Sequence, residues 1–134
     1  MTPIVADIYH GDRVLGDRPG ETNGLIQFVA AGFRGLIHKA TQGVHSADPL
    51  YAARRKLAAD AAVPHWGAYD FNTGDPVAQQ VDFFFQAAQP DTSTFCVIDF
   101  EDNTQSEMSL DQLCDYLGVS SRGENLPALF IGVA

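Results

Sequence analysis

The sequence predicts a parallel α/β architecture on three observations. Five short apolar runs recur at a spacing of roughly 30 residues, the length of one strand-plus-helix unit. The runs are rich in β-branched or aromatic residues, as in strands buried on both faces. Helix-start signals fall between them.

The first run is Ile4–His10 (IVADIYH). A polar loop at 16–23 leads to a short helix at 24–31, ended by Gly32. The second run is Gly35–Thr41 (GLIHKAT). Asp48-Pro49 then opens LYAARRKLAADAA, with Asp48 as N-cap and Pro49 in the first turn. Leu50, Ala53, Leu57 and Ala61 give this helix its apolar stripe. The third run is His65–Phe71 (HWGAYDF). Asp75-Pro76 opens VAQQVDFFFQAAQ in the same way, and Pro90 closes it. The fourth run is Phe95–Glu101 (FCVIDFE). Ser109 and Gln112 have capping-box spacing before LCDYL, with Gly118 as C-cap. The fifth run is Ala128–Ala134 (ALFIGVA).

This order predicts a parallel sheet with right-handed crossovers, either open and doubly wound or part of a barrel. A closed eight-stranded barrel takes about 200 residues or more. The chain has 134, so a single domain over 1–134 with about five βα units is expected. A fifth strand left uncovered predicts a truncated barrel, or a second copy of the chain covering that edge.

Formal net charge is −9 and the pI about 4.5. An acidic chain lacks the basic surface that nucleic acid or an anionic membrane requires. No apolar run approaches the ~20 residues a bilayer needs. The N-terminus has no basic segment and no long apolar segment, so synthesis in the cytoplasm without a signal peptide is expected. Cys96 reads as a buried free thiol and Cys114 as a helix residue. The pair makes no disulfide framework and no zinc motif.

The chemistry gathers at the C-terminal ends of the strands, where parallel α/β folds place their sites. Asp99 and Glu101 are two apart on one strand, so both project to one face and Phe100 to the other. Two carboxylates that close repel, and on losing water one holds a proton near neutral pH. Asp7 occupies the matching place on the first strand. Against this, an aspartate at a strand end is often only a loop or helix cap. Tyr69 is placed to stack on a sugar ring, or else to pack in the core. Lys39, inside an apolar strand, needs a partner, and Asp7 or Asp99 would supply one. Trp66 reads as core. His10, His45 and His65 read as surface residues. A metal site from His10, His38 and His65 with Asp99 is a weaker reading, because the histidines occupy different heights on their strands. No phosphate loop, dinucleotide-binding fingerprint or nucleophile elbow is present, so no cofactor is expected.

These motifs resemble the family 25 glycoside hydrolases, the Chalaropsis-type lysozymes or N-acetylmuramidases. That family's opening strand resembles DVSHYQG; here it reads Ala6-Asp7-Ile8-Tyr9-His10-Gly11. Its second strand is similar to FIKATEG; here it is Leu36-Ile37-His38-Lys39-Ala40-Thr41-Gln42-Gly43. GAYHF appears as Gly67-Ala68-Tyr69-Asp70-Phe71, and the DxE strand as Asp99-Phe100-Glu101.

The resemblance implies a modified TIM-type barrel of five βα units and three further strands, incomplete here, with its site at the strands' C-terminal mouth. It implies cleavage of the β-1,4 bond between N-acetylmuramic acid and N-acetylglucosamine in peptidoglycan, so action on the cell wall and a glycan strand as partner. Glu101 matches the general acid/base, Asp99 the group that steadies the substrate's acetamido group or developing cation, and Asp7 the third acid of the groove. Tyr69, Asp70, Lys39 and Gln42 would contact the substrate. Retention through acetamido participation is the implied course. Gln42 stands where Glu is usual and Asp70 where His is common. The family's last three strands are missing, which keeps open a non-catalytic saccharide-binding or structural remnant. A metal-dependent hydrolase using Asp7, Asp99, Glu101 and a histidine is the third reading.

Overall fold

A computed structural model describes residues 3–103, 106–120 and 129–132. The elements run in the order β1 (Ile4–Ile8), α1 (Leu25–Ala30), β2 (Phe33–Gln42), β3 (Ser46–Ala47), α2 (Tyr51–Asp60), β4 (His65–Phe71), α3 (Val77–Ala88), β5 (Thr94–Asp99), α4 (Leu110–Ser120) and β6 (Leu129–Gly132). The sheet order is β1-β2-β4-β5-β6, with every neighbouring pair parallel. β3 pairs antiparallel with the end of β2. The expected mixed α/β fold with a parallel sheet is therefore present. Among the described residues the sheet is not closed, since β1 and β6 form its two edges. Ala128, Val133 and Ala134 of the expected fifth run lie outside the described residues. Among the described residues no helix is long and apolar enough to cross a membrane.

Alternation along each strand divides the sheet into two faces. Leu36, Ala40, Ala68, Cys96 and Ile98 point to the helices and are almost fully buried. Leu36 packs with Val14, Leu25, Ala58 and Ala61 under α1 and α2. Ala40, Ala68 and Cys96 pack with Tyr51, Phe84 and Ala88 under α2 and α3. Ile98 packs with Val81, Met108, Leu113 and Tyr116 under α3 and α4. The opposite face, carrying Val5, Asp7, Ile37, Lys39, Gly67, Tyr69, Val97 and Asp99, lines two open cavities.

The helix starts depart from expectation by one or two residues. Asp48 Oδ1 accepts the Leu50 N–H at 2.9 Å, but Pro49 and Leu50 form a turn and α2 begins at Tyr51. Helix α3 begins at Val77 after Pro76, and the Asp75 carboxylate accepts the Thr73 hydroxyl instead of capping it. Gln89 closes α3 in the left-handed conformation, directly before Pro90. The capping box of α4 is fully formed: the Ser109 N–H donates to Gln112 Oε1 at 2.9 Å and the Gln112 N–H to Ser109 Oγ at 3.2 Å. Gly118 is not a C-cap. Helix α4 runs through it to Ser120, because Leu117 and Val119 on either side pack onto the Ile98 cluster.

Strand β2 carries one extra residue against β4. Lys39 pairs with Tyr69 and Thr41 with Asp70, leaving Ala40 as a bulge. Beyond it the strand has switched faces. Thr41 turns to the helix side and Gln42 to the face of Lys39, three residues away, where strict alternation would place the two apart.

Candidate active site

A cavity of about 490 Å³ opens on the helix-free face, at the C-terminal ends of the strands. Asp7 and Tyr9 line it from β1 and its end, Ile37 and Lys39 from β2, Tyr69 and Phe71 from β4, and Val97, Asp99 and Glu101 from β5 and the residues just past it. Three carboxylates from two separate segments thus converge on one space.

Glu101 lies two residues beyond the last residue of β5, yet it keeps the face of Asp99. Phe100 between them packs against the Ile98 cluster on the other side. Burial, with the charges of Glu101 and Asp7 added, pushes the Asp99 carboxyl up to about 6, while Lys39 acts against that rise. Burial beside Asp99 and Asp7 raises the Tyr69 phenol above its ordinary value, so it remains a hydrogen-bond donor at neutral pH.

Lys39 does not form the ion pair with Asp7 or Asp99 expected from its sequence. Its Nζ donates to Gln42 Oε1 at 2.5 Å and lies 4.8 Å from the centre of the Phe71 ring. The bulge at Ala40 makes this contact possible. Gly43, which follows, has φ +57, a left-handed conformation that favours glycine, and a Cβ there would press on the Asp75 and Thr73 side chains.

Asp70 does not join the cavity. It follows Tyr69 and so projects to the helix side, where it is fully buried. Its Oδ1 accepts the Thr41 hydroxyl at 2.7 Å, and its Oδ2 accepts Asn72 Nδ2 at 2.9 Å and the Tyr116 hydroxyl at 3.0 Å. Burial raises its pKa to about 7 despite these bonds and the Lys39 charge. Asp70 ties β2 and β4 to α4.

Two contributors escaped the sequence reading. Tyr9 lines the cavity, and its spacing of two from Asp7 is the signal that could have found it. Arg54, 1% exposed, anchors the loop that carries Tyr9. It donates to the Tyr9 carbonyl at 2.7 Å, the Asp12 carbonyl at 2.6 Å and the Asp17 carboxylate at 2.8 Å. It also meets His38 Nε2 at 3.2 Å. A guanidinium only donates, so Nε2 accepts and the neutral imidazole keeps its proton on Nδ1, facing the Lys39 carbonyl at 2.7 Å. Burial lowers the His38 pKa in keeping with that neutral form. Arg54 reads as surface charge in YAARRKLAAD, but it falls on the helix stripe between Leu50 and Ala58.

His10, His45 and His65 are exposed and His38 is buried among helix-side partners. Among the described residues no group of three or more His, Cys, Asp or Glu is arranged to hold a metal ion.

The sequence model of glycosyl hydrolases family 25 matches residues 21–117. No curated protein matches the chain. Several solved structures share its fold. A muramidase from Trichobolus zukalii superposes with TM-score 0.71 at 22% identity, over 92% of this chain and 62% of its own. A bacterial lysozyme from Streptomyces coelicolor gives 0.72 at 21% identity, over 93% and 60%. A family 25 lysozyme from Aspergillus fumigatus gives 0.72 at 18%, over 93% and 63%. The chain therefore spans 60–63% of the length of these three structures.

Proposed function

The chain belongs to the family 25 glycosyl hydrolases, and from that premise we propose that it cleaves the β-1,4 bond between N-acetylmuramic acid and N-acetylglucosamine in peptidoglycan. The observation that carries this reading is the convergence of Asp7, Asp99 and Glu101 on one cavity at the C-terminal end of the sheet. The one-sided placement of the helices supports a further part of the proposal, that the sheet is an arc of a barrel wall with the cavity on its inner side.

In the proposed reaction Glu101, as the acid, gives its proton to the glycosidic oxygen as the C1–O bond breaks. The acetamido carbonyl oxygen of the same sugar closes onto C1, and the Asp99 carboxylate steadies the charge that develops on the acetamido nitrogen. Glu101, now a carboxylate, takes a proton from the water that reopens the ring at C1, so configuration is retained. Asp7 adds negative charge beside the cationic centre, and the Tyr69 hydroxyl and ring flank the sugar. This assignment requires Asp99 ionised and Glu101 protonated in the reacting complex.

The test is muropeptide release from purified peptidoglycan by wild type and Glu101→Gln, read as new reducing ends. Wild type is expected to release products ending in reducing muramic acid, and the variant to lose at least about 10²-fold. Near-native activity in a folded variant refutes the role of Glu101. One observation favours a second reading, glycan binding without turnover: among the described residues the sheet leaves the cavity open along its edges. Binding of a glycan strand with no release of ends by the wild type would select it.

A further inference from the structure

Among the described residues Lys39 is the one cation lining the cavity, where the other formal charges are the carboxylates of Asp7, Asp99 and Glu101. A lysine in such company is normally neutralised by an ion pair, and none of the described ion pairs includes it. Its ammonium is held by a neutral amide oxygen, Gln42 Oε1, and by the face of Phe71. An amide and an aromatic ring fix an ammonium in position without cancelling its charge. The bulge at Ala40 brings Gln42 to that side of the sheet, so the holding arrangement is built into the backbone.

We propose that Lys39 is a positioning charge that keeps Asp99 ionised at neutral pH, and that Gln42 serves it by fixing the ammonium without neutralising it. This rests on the glycoside-cleavage reading of the same cavity, in which Asp99 acts as a carboxylate. The groups facing Asp99 are Glu101 on its own segment, Asp7 on β1, Lys39 on β2 and Tyr69 on β4. Burial draws the Lys39 pKa down, while the fields of Asp48, Asp99, Asp70 and Glu101 hold its proton on. Asp99 is already raised to about 6 with Lys39 opposing the rise. Without that charge, Asp99 approaches half-protonation at neutral pH and its support of the cationic centre falls by up to about half.

The experiment follows the Asp99 carboxyl by ¹³C NMR titration in wild type, Lys39→Met, Lys39→Arg and Gln42→Glu, beside the pH profile of kcat/KM for muropeptide release. Lys39→Met keeps the length and the stacking on Phe71, and Trp66 fluorescence monitors its fold. It is expected to raise the Asp99 midpoint by about half to one pH unit, the size of one charge acting across a few ångströms through a water-like dielectric, as in an open cavity. The acid limb of the rate profile is expected to move the same way. Lys39→Arg restores both to near wild-type values. Gln42→Glu, which supplies a neutralising carboxylate, moves both as Lys39→Met does. An Asp99 midpoint unchanged in folded Lys39→Met overturns the proposal whatever the activity, as does a moved midpoint with a fixed acid limb. A moved midpoint in a wild-type background that releases no muropeptide supports Lys39 as the charge on Asp99 and refutes the cleavage reading instead.

Discussion

Replacing Asp70 with asparagine should change how stability depends on pH. Asp70 is fully buried, and its pKa rises from 3.8 to about 7 in the folded chain. A raised carboxyl pKa means the folded state holds a proton the unfolded state has released. The stability from Asp70 is therefore complete below the unfolded pKa and is lost as pH rises toward the folded one. At ~1.4 kcal/mol per pH unit the whole effect is about 4 kcal/mol, of which about 3 kcal/mol falls between pH 5 and pH 8. The asparagine of Asp70→Asn is a neutral isostere with no such dependence. It can still accept from Thr41, while its amide N–H group takes the place of the oxygen that accepts from Asn72 Nδ2 and the Tyr116 hydroxyl, a loss that is the same at both pH values. Urea unfolding at pH 5 and pH 8, followed by the fluorescence of Trp66, measures both proteins. Burial pushes Asp48 up, but its hydrogen bonds from Leu50 and His10 outweigh that and hold its pKa below the usual value. Its stability contribution therefore has the opposite pH dependence. The difference between wild type and Asp70→Asn cancels that contribution and isolates Asp70. It should fall by about 3 kcal/mol from pH 5 to pH 8. An equal difference at the two pH values would refute the claim that folded Asp70 keeps its proton.

The remaining predictions concern packing and anchoring. Phe84→Ala empties the centre of the cluster formed with Ala40, Tyr51, Ala68 and Cys96, and should cost about 3–5 kcal/mol in chemical unfolding. A loss under about 1 kcal/mol would mean that the core collapses into the space. Arg54→Met leaves the Asp17 carboxylate and two loop carbonyls without their donor, for an expected loss of about 3–5 kcal/mol. The same variant should raise KM through the loosened Tyr9 loop, so an unchanged KM would show that the loop holds its place alone. Ser109→Ala removes one half of the α4 capping box and should cost about 1 kcal/mol without altering the cavity. Altered glycan binding by that variant would place α4 closer to the site than the fold indicates.

The order of strands is legible in the sequence because each apolar run is rich in β-branched or aromatic residues, and α2, α3 and α4 are legible because Asp48-Pro49, Asp75-Pro76 and Ser109 mark their starts. The short β3 is not, because two residues paired antiparallel to a strand end leave no periodic trace. Asp7, Asp99 and Glu101 were found by strand alternation, and the cavity they share follows from the parallel register. The same alternation separates Asp70 from Tyr69, so grouping the two as substrate contacts conflicted with the strand's own period. The partner of Lys39 was beyond any period-two argument, since one extra backbone residue decides which face Gln42 takes. Arg54 was hidden by its type: a guanidinium in a charged stretch reads as solvent-facing until its carbonyl partners from a distant loop are known.

The bulge at Ala40 makes strand register, more than residue identity, the sensitive variable of this region. A strand of the same length paired without the bulge would alternate strictly, return Gln42 to the helix side and swing Thr41 away from Asp70. The Lys39 clamp and the buried tie between β2 and β4 would fail together, although every chemically important side chain would still be encoded. Loss of the Ala40 codon alone, by contrast, would remove the extra residue and leave Lys39, Thr41 and Gln42 on the faces they now hold.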